Sequence, residues 1–200
     1  IFSRQLDEVD PLLDDLDLFV AIENHQDLDL VDLVKLCETS KRNRRRITWD
    51  VGNSLATMRT PLTFLQGSRD WIANVHLKDY FVAWNERQLI LKRCILGEGF
   101  LNPGEVFRLL RDLPVLKNVS MEIAAHIDRK VDLFVPHYPL HYDLSKSEIE
   151  DFLGFIERKV KPSKEQESVS IPCILKNIED EVSEACVSSK TFLENADAIK

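Results

Sequence analysis

The sequence predicts an α/β fold with a parallel sheet, on three observations. Short apolar runs alternate with amphipathic helical segments, each run ends in or carries a polar residue near its end, and these polar residues recur 27, 26 and 46 positions apart. Such spacings are typical of strand–helix–strand crossovers. The composition, with 44% hydrophobic and 30% charged residues in 200, suits a chain that buries a core.

Four apolar runs are predicted to be buried strands, because they are short and bounded by polar residues. Three of them lead to a carboxylate and one to an imidazole. In chain order they are Leu18 to Ile22 followed by Glu23, Ile47 to Asp50, Trp71 to Leu77 with His76, and Val119 to Ile123 with Glu122.

Helix starts are marked by capping residues. The helices are predicted from N-cap and first-turn patterns and from apolar residues at helical spacing. They begin at Asp29 (through about Thr39), at Thr60-Pro61 (ending at Gly67), at Asn102-Pro103, and at Ser145, which forms a capping box with Glu148 for a helix through about Val160.

Two further segments lie outside the strand–helix alternation. Residues 80–84 and 89–95 are predicted to form a β-ribbon inserted after the third strand. Residues 161–200 begin with a composition typical of a linker and continue into an amphipathic helix over roughly 173–187. We therefore predict one domain over residues 1–160 and a linker with a tail helix over residues 161–200.

A doubly wound sheet and a barrel both fit this alternation, and the polar residues favour the barrel. They lie at the C-terminal ends of separate strands, where (β/α) barrels of the TIM type assemble their sites. A complete barrel needs about 250 residues, so four units in 160 residues predict a half-barrel with two open sheet edges. We expect the chain to be part of a longer one or to pair with another half.

The four polar strand ends form a candidate metal site. Glu23, Asp50 and Glu122 would bring three carboxylates to one point beside His76, and these cannot all stay ionised without a cation. Oxygen ligands with one imidazole suit a divalent ion, Mn²⁺ or Mg²⁺ first, with Co²⁺ or Zn²⁺ as alternatives. Each residue also has an ordinary structural interpretation, such as an ion pair or a turn.

Three neighbouring residues are candidates for substrate binding. His25 and Asn53 follow the first two ligands and could form hydrogen bonds with substrate hydroxyls, and Lys78 could neutralise a negative charge such as a phosphate. For these three, ordinary hydrogen bonding in a loop is an equal alternative.

Charge and hydropathy exclude several classes. A formal net charge of −8 disfavours a nucleic-acid-binding surface. No apolar run approaches the roughly 20 residues that span a bilayer, and the first residues lack a secretory pattern. We expect a cytoplasmic protein without nucleic-acid or membrane partners.

The motifs resemble the xylose isomerase-like barrel proteins, which include sugar isomerases and epimerases and the apurinic-site endonucleases. The resemblance spans residues 16–160. It implies the C-terminal half of a barrel, with Glu23, Asp50, His76 and Glu122 binding one divalent metal, and with Glu23 and Glu122 as paired acid and base. It is carried by Ala21-Ile22-Glu23-Asn24-His25, Thr48-Trp49-Asp50-Val51-Gly52-Asn53, Val75-His76-Leu77-Lys78-Asp79, Leu96-Gly97-Glu98-Gly99 and Ser120-Met121-Glu122-Ile123.

Two functional hypotheses follow. The first is a metal-dependent isomerase or epimerase of a sugar, sugar phosphate or polyol that moves a proton through an enediolate, or a related lyase or dehydratase with the same parts. The second is a metal-binding scaffold without turnover. An apurinic-site nuclease is the weaker expectation, because the chain is acidic and has just 5 histidines.

Overall fold

The computed structural model describes residues 2–84, 88–94, 96–122, 128–132 and 144–159, together with residue 183. The helices there are α1 (Phe2–Asp15), α2 (Leu30–Glu38), α3 (Pro61–Ser68), α4 (Pro103–Arg111) and α5 (Lys146–Lys159), with a 3-10 helix at Asn53–Thr57. The strands are β1 (Val20–Glu23), β2 (Arg45–Asp50), β3 (Ile72–Leu77), β4 (Asp79–Trp84), β5 (Gln88–Cys94), β6 (Asn118–Met121) and β7 (Arg129–Asp132).

Four strands form a parallel sheet in the order β1-β2-β3-β6. Each crossover between them contains a helix. The crossover from β3 to β6 also contains the strands β4 and β5. The predicted α/β fold is therefore confirmed, and its four parallel strands with their helices are a partial TIM barrel.

A second, antiparallel sheet has the order β4-β5-β7. The first two strands are the predicted ribbon. The third strand, β7, was not predicted, because its four residues, Arg-Lys-Val-Asp, hold a single apolar side chain. It pairs Arg129 opposite Leu91 and so brings a basic residue towards the parallel sheet.

The core lies between the parallel sheet and the helices that follow its strands. Ile47 and Trp49 of β2 and Phe64 of α3 are almost fully buried. The Trp49 and Phe64 rings stack with their centroids 6.4 Å apart. Burial of such apolar side chains contributes roughly 1.5–3 kcal/mol each and fixes the sheet on which the site is built.

Helix α1 joins the fold through ion pairs with the basic segment that enters β2. Arg45 is fully buried, and its Nε and Nη2 donate to the two Asp10 carboxylate oxygens at 2.9 and 3.0 Å. Arg42 and Arg44 both contact Asp14. The acids of residues 1–32 thus include partners for the following basic run.

The predicted helix starts are confirmed at Thr60 and Ser145. Thr60 Oγ1 accepts from the Thr63 N–H at 3.1 Å. Glu148 Oε2 accepts from the Ser145 N–H at 2.8 Å, while the Glu148 N–H donates to Ser145 Oγ at 3.3 Å. Both patterns are local, which is why the sequence predicts them.

Two expectations about helix ends are wrong in part. Asp29 precedes α2 as predicted, but its side chain makes no capping bond and instead accepts from Arg59 Nη2 at 3.0 Å. Gly67 lies inside α3 rather than ending it. A Cβ at Gly67 would lie 2.6 Å from Leu30 Cδ2, so α2 and α3 pack closely at this glycine.

The predicted tail helix and linker lie outside the described residues, apart from residue 183. Among the residues that the structure describes, no helix has the length and apolar character needed to cross a bilayer.

Candidate metal centre

The four predicted ligands lie at one end of the parallel sheet. Glu23 ends β1, Asp50 ends β2, His76 is the penultimate residue of β3, and Glu122 directly follows β6. Asp50 is the register partner of His76. The Glu122 N–H continues the sheet by donating to the Leu77 carbonyl at 2.9 Å. Because parallel strands share their direction, four separate segments bring these side chains to the same edge.

The side chains converge. One ligand atom from each residue can be chosen so that all four lie within 4.8 Å of one another. His76 Nδ1 is 3.6 Å from Glu23 Oε1 and 3.6 Å from Glu122 Oε2. Ions bound at about 2.0–2.6 Å separate neighbouring ligand atoms by roughly 3–4.5 Å, so these separations fit one shared ion.

Asp50 is held rigidly by its neighbours. Its N–H donates to Asn24 Oδ1 at 2.6 Å, and its carbonyl accepts from Asn24 Nδ2 at 2.9 Å. Its Oδ1 accepts from the Asn53 N–H at 3.0 Å. Tyr80 packs closely on the turn after Asp50, because a Cβ at Gly52 would lie 2.4 Å from Tyr80 Cε2.

Lys78 supplies a positive charge inside the cluster. Its side chain is buried, and Nζ lies 2.9 Å from Glu122 Oε1 and contacts Asp50 Oδ2. Lys78 was predicted as a substrate-binding residue; the structure places it between two of the predicted ligands.

The two carboxylates that contact Lys78 have pKa values shifted in opposite directions. Burial raises the pKa of Asp50 to about 7, against the opposing effect of the Lys78 charge. Burial would also raise the pKa of Glu122, but the hydrogen bond and the charge of Lys78 outweigh it and lower that pKa. The difference follows exposure, since the Asp50 side chain is fully buried and that of Glu122 is 36% exposed.

The donor set has the features of a cation site. Asp50 Oδ2 and His76 Nδ1 are buried and find no hydrogen-bond partner among the described residues, although the former contacts the Lys78 ammonium. A buried polar atom without a partner destabilises the folded state unless an ion or another group interacts with it. The His76 Nε2 atom lies 3.1 Å from the Asn74 side-chain amide. If His76 held an ion through Nδ1, its ring proton would be on Nε2, and the Asn74 amide would have to turn its oxygen towards that proton to accept it. These residues fit one divalent ion.

Asn53 and His25 occupy different environments. Asn53 is buried and its Nδ2 donates to the Asn24 carbonyl at 3.0 Å and to Glu23 Oε1 at 3.4 Å. The His25 side chain is 54% exposed, and Nδ1 lies 3.5 Å from Asp27 Oδ1. No contact joins His25 to the four ligands within the described part of the chain.

Two arginines at the site were not predicted. Arg93 of β5 donates to the Glu122 carbonyl, lies 3.9 Å from Glu122 Oε1 and stacks over the Tyr80 ring at 5.3 Å. Arg129 of β7 donates through Nη1 to Asn53 Oδ1 at 2.6 Å and through Nη2 to Gln26 Oε1 at 2.8 Å. If the two strands of the predicted ribbon are paired about its polar centre, Arg93 lies opposite Tyr80, so the position of Arg93 could have been predicted. No sequence pattern indicates Arg129.

The fold and the site together define a partial TIM barrel with a candidate metal site at the C-terminal ends of its strands. Residues 1–147 match the family described as xylose isomerase-like TIM barrel. The chain belongs to this family, as the sequence resemblance predicted.

Individual relatives and solved structures match the chain at low identity. The uncharacterized protein YihM of Escherichia coli K12 is 27% identical over 139 residues, which are 69% of this chain and 42% of YihM. A xylose isomerase domain protein from Planctomyces limnophilus superposes with a TM-score of 0.51 at 16% identity, covering 78% of this chain and 51% of that one. The 3-keto-D-glucoside 4-epimerase YcjR of Escherichia coli gives a TM-score of 0.45 at 16% identity, with coverages of 78% and 52%. The chain thus spans about half the length of the proteins it matches.

Proposed function

We propose that this protein is a divalent-metal-dependent isomerase or epimerase of a sugar, sugar phosphate or polyol, acting in the cytoplasm. The observation that carries the proposal is the convergence of Glu23, Asp50, His76 and Glu122, whose ligand atoms lie within 4.8 Å of one another. In the proposal these four residues hold one ion, Mn²⁺ or Mg²⁺ in preference to Co²⁺ or Zn²⁺.

The chemistry requires a proton to leave a carbon beside a carbonyl and to return to another carbon or face. A bound divalent ion supplies electrostatic stabilisation for the negative charge that develops on the substrate oxygens. The protein must provide the base that removes the proton and the acid that returns it.

Glu23 and Glu122 suit this exchange of roles. They come from the two outer strands of the parallel sheet, with Asp50 and His76 between them. Although burial opposes the effect, the contact with Lys78 lowers the pKa of Glu122 and favours the carboxylate form, which can accept a proton at an oxygen atom. Both side chains are more than a third exposed, so a substrate can reach them.

Lys78, His25 and Asn53 complete the proposal. Lys78 Nζ, buried between Asp50 and Glu122, would move towards a substrate oxygen once an ion neutralises those carboxylates. His25, exposed on the loop after β1, would bind a substrate hydroxyl. Asn53 is already bonded to Glu23 and would act mainly by orienting that carboxylate.

A metal-binding scaffold without turnover is the second candidate. It is favoured by the four-stranded extent of the parallel sheet in the described residues, because a substrate pocket in a TIM barrel is built from the loops of eight strands. The two candidates share the metal site and differ in proton transfer.

Metal binding and proton exchange test the proposal in turn. The full chain is titrated with Mn²⁺ by calorimetry as wild type, as Glu122→Gln, and as Glu105→Gln, an exposed glutamate of α4 that serves as control. Loss of one charged ligand should weaken Mn²⁺ binding by at least about tenfold. The Mn²⁺-loaded chain is then incubated in D₂O with free and phosphorylated ketoses, and α-proton exchange is followed by NMR.

We expect exchange with wild type and with E105Q, and none with E122Q. Unchanged Mn²⁺ affinity in E122Q would show that the site is misassigned. Tight Mn²⁺ binding without exchange in any ketose would favour the scaffold.

A further inference from the structure

Arg129 carries a positive charge that the described residues leave unneutralised. Its guanidinium donates to two neutral amide oxygens, Asn53 Oδ1 at 2.6 Å and Gln26 Oε1 at 2.8 Å. No carboxylate of the described ranges forms an ion pair with it. The planar guanidinium of arginine, with five donors, is suited to binding carboxylates and phosphates. Two of those donors are used by residues that the structure describes, and the side chain is only half-buried.

The position of this charge relates it to the metal centre. Asn53, which accepts from Arg129, also donates to Glu23 Oε1 at 3.4 Å. Gln26 follows Glu23 by three residues on the loop after β1. Arg129 therefore lies one side chain away from a predicted ligand, at the mouth formed by the loops after β1 and β2.

The net charge of the metal centre with a divalent ion bound also favours an anionic ligand. The three carboxylates contribute three negative charges. Lys78 and Arg93 contact these carboxylates and contribute two positive charges. A divalent ion would make the sum one net positive charge, to which Arg129 adds a second. A partly buried excess of positive charge is unfavourable unless an anion accompanies it.

We infer that the substrate carries a carboxylate or phosphate group, and that Arg129 is the residue that binds it. This inference rests on the proposed function and specifies its substrate class. Arg129 determines specificity by discriminating an anionic substrate from a neutral sugar or polyol of the same length, while the proton transfer itself stays with the glutamates.

The test uses small probes that differ in charge. Glycerate, glycerol 3-phosphate and glycerol are titrated by calorimetry into the Mn²⁺-loaded full chain. Wild type is compared with Arg129→Gln and with Lys130→Gln, which removes the same charge from the next, exposed residue of β7. Arg129→Lys tests whether charge alone suffices, and circular dichroism checks the fold of each variant.

We expect wild type to bind glycerate or glycerol 3-phosphate at least about tenfold more tightly than glycerol, the effect of one charge-assisted contact. The preferred probe shows whether the group is a carboxylate or a phosphate. R129Q should lose most of this preference with unchanged Mn²⁺ affinity, R129K should keep part of it, and K130Q should keep it.

Two results would overturn the inference alone: Mn²⁺ uptake without preference for either anion, or an equal preference in R129Q and K130Q. Failure of wild type to take up Mn²⁺ would instead overturn the proposed function, and this inference with it.

Discussion

Single carboxylates set the backbone around the site. Asp79, next to Lys78, is buried and accepts four backbone N–H groups: those of Tyr80 and Leu101 at Oδ1, at 2.8 and 3.1 Å, and those of Gly97 and Gly99 at Oδ2, at 2.9 and 3.0 Å. A Cβ at Gly99 would lie 2.3 Å from the Tyr80 carbonyl oxygen, so this close approach requires glycine. One acid thereby fixes the loop after β5 beside the metal centre.

The contacts of Glu148 lead to a prediction about how the free energy of unfolding depends on pH. Hydrogen bonds from Ser145 and the Arg59 ion pair lower the pKa of Glu148 to about 2. Its stabilising effect is therefore present above the ordinary pKa of 4.5 and is lost as the pH falls through about 2. We expect Glu148→Gln to reduce the free energy of unfolding by about 1 kcal/mol at pH 7, as measured in urea, and the difference from wild type to shrink towards pH 2.

Glu157→Gln is the matched control, because Glu157 is an exposed residue of the same helix. A difference that grows on acidification, or an equal loss in E157Q, would contradict the prediction.

Sequence patterns located the acidic ligands but not the arginines beside them. Glu23, Asp50, His76 and Glu122 each follow or end an apolar run, so their positions depend on local periodicity and on the shared direction of parallel strands. Arg129 reaches Asn53 across 76 residues, from a strand without apolar alternation. Lys78 was found as a neighbour of His76, but its burial between two acids depends on side-chain geometry that spacing does not specify.

The ion pair between α1 and β2 leads to a prediction about the stability of the fold. Its Asp10 neutralises the fully buried Arg45 of β2. Asp10→Ala leaves that guanidinium with Asp7 as its remaining carboxylate partner, so we expect the free energy of unfolding to fall by about 3 kcal/mol in a urea titration. Asp15→Asn, at an exposed position of α1, should cost less than about 0.5 kcal/mol. A D10A variant as stable as D15N would show that α1 does not depend on this ion pair.

Elements whose ends are marked by local chemistry were predicted well. The parallel strands, the ribbon and the capped helices all carry their pattern within a few residues. Helix α1 and strand β7 were missed for the opposite reason. They are held by partners far along the chain, Arg45 for α1 and β5 for β7, which no local window contains.

The open sheet makes a prediction about the whole molecule. In the described residues β1 pairs with β2 alone and β6 with β3 alone, so the parallel sheet has two free edges. Val119 on β6 is 38% exposed. We expect two copies of the chain to pair through these edges, as sedimentation velocity would detect, and Val119→Lys to weaken association by about tenfold.

Leu62→Lys is the control, because Leu62 is a 44% exposed apolar residue on α3, not on a strand edge. A wild-type chain that sediments as a monomer at high concentration, or equal effects of V119K and L62K, would contradict edge pairing.

The ammonium of Lys78 has a consequence for how the protein acquires its ion. Lys78 contacts both Asp50 and Glu122, so a positively charged side chain of the protein itself holds these two carboxylates together before any ion binds. In small zinc domains the metal drives folding because nothing else holds the ligands together. Here the ion would compete with an internal counter-charge for a site formed beforehand. Metal supply would then set how many molecules are active and leave the number that are folded unchanged.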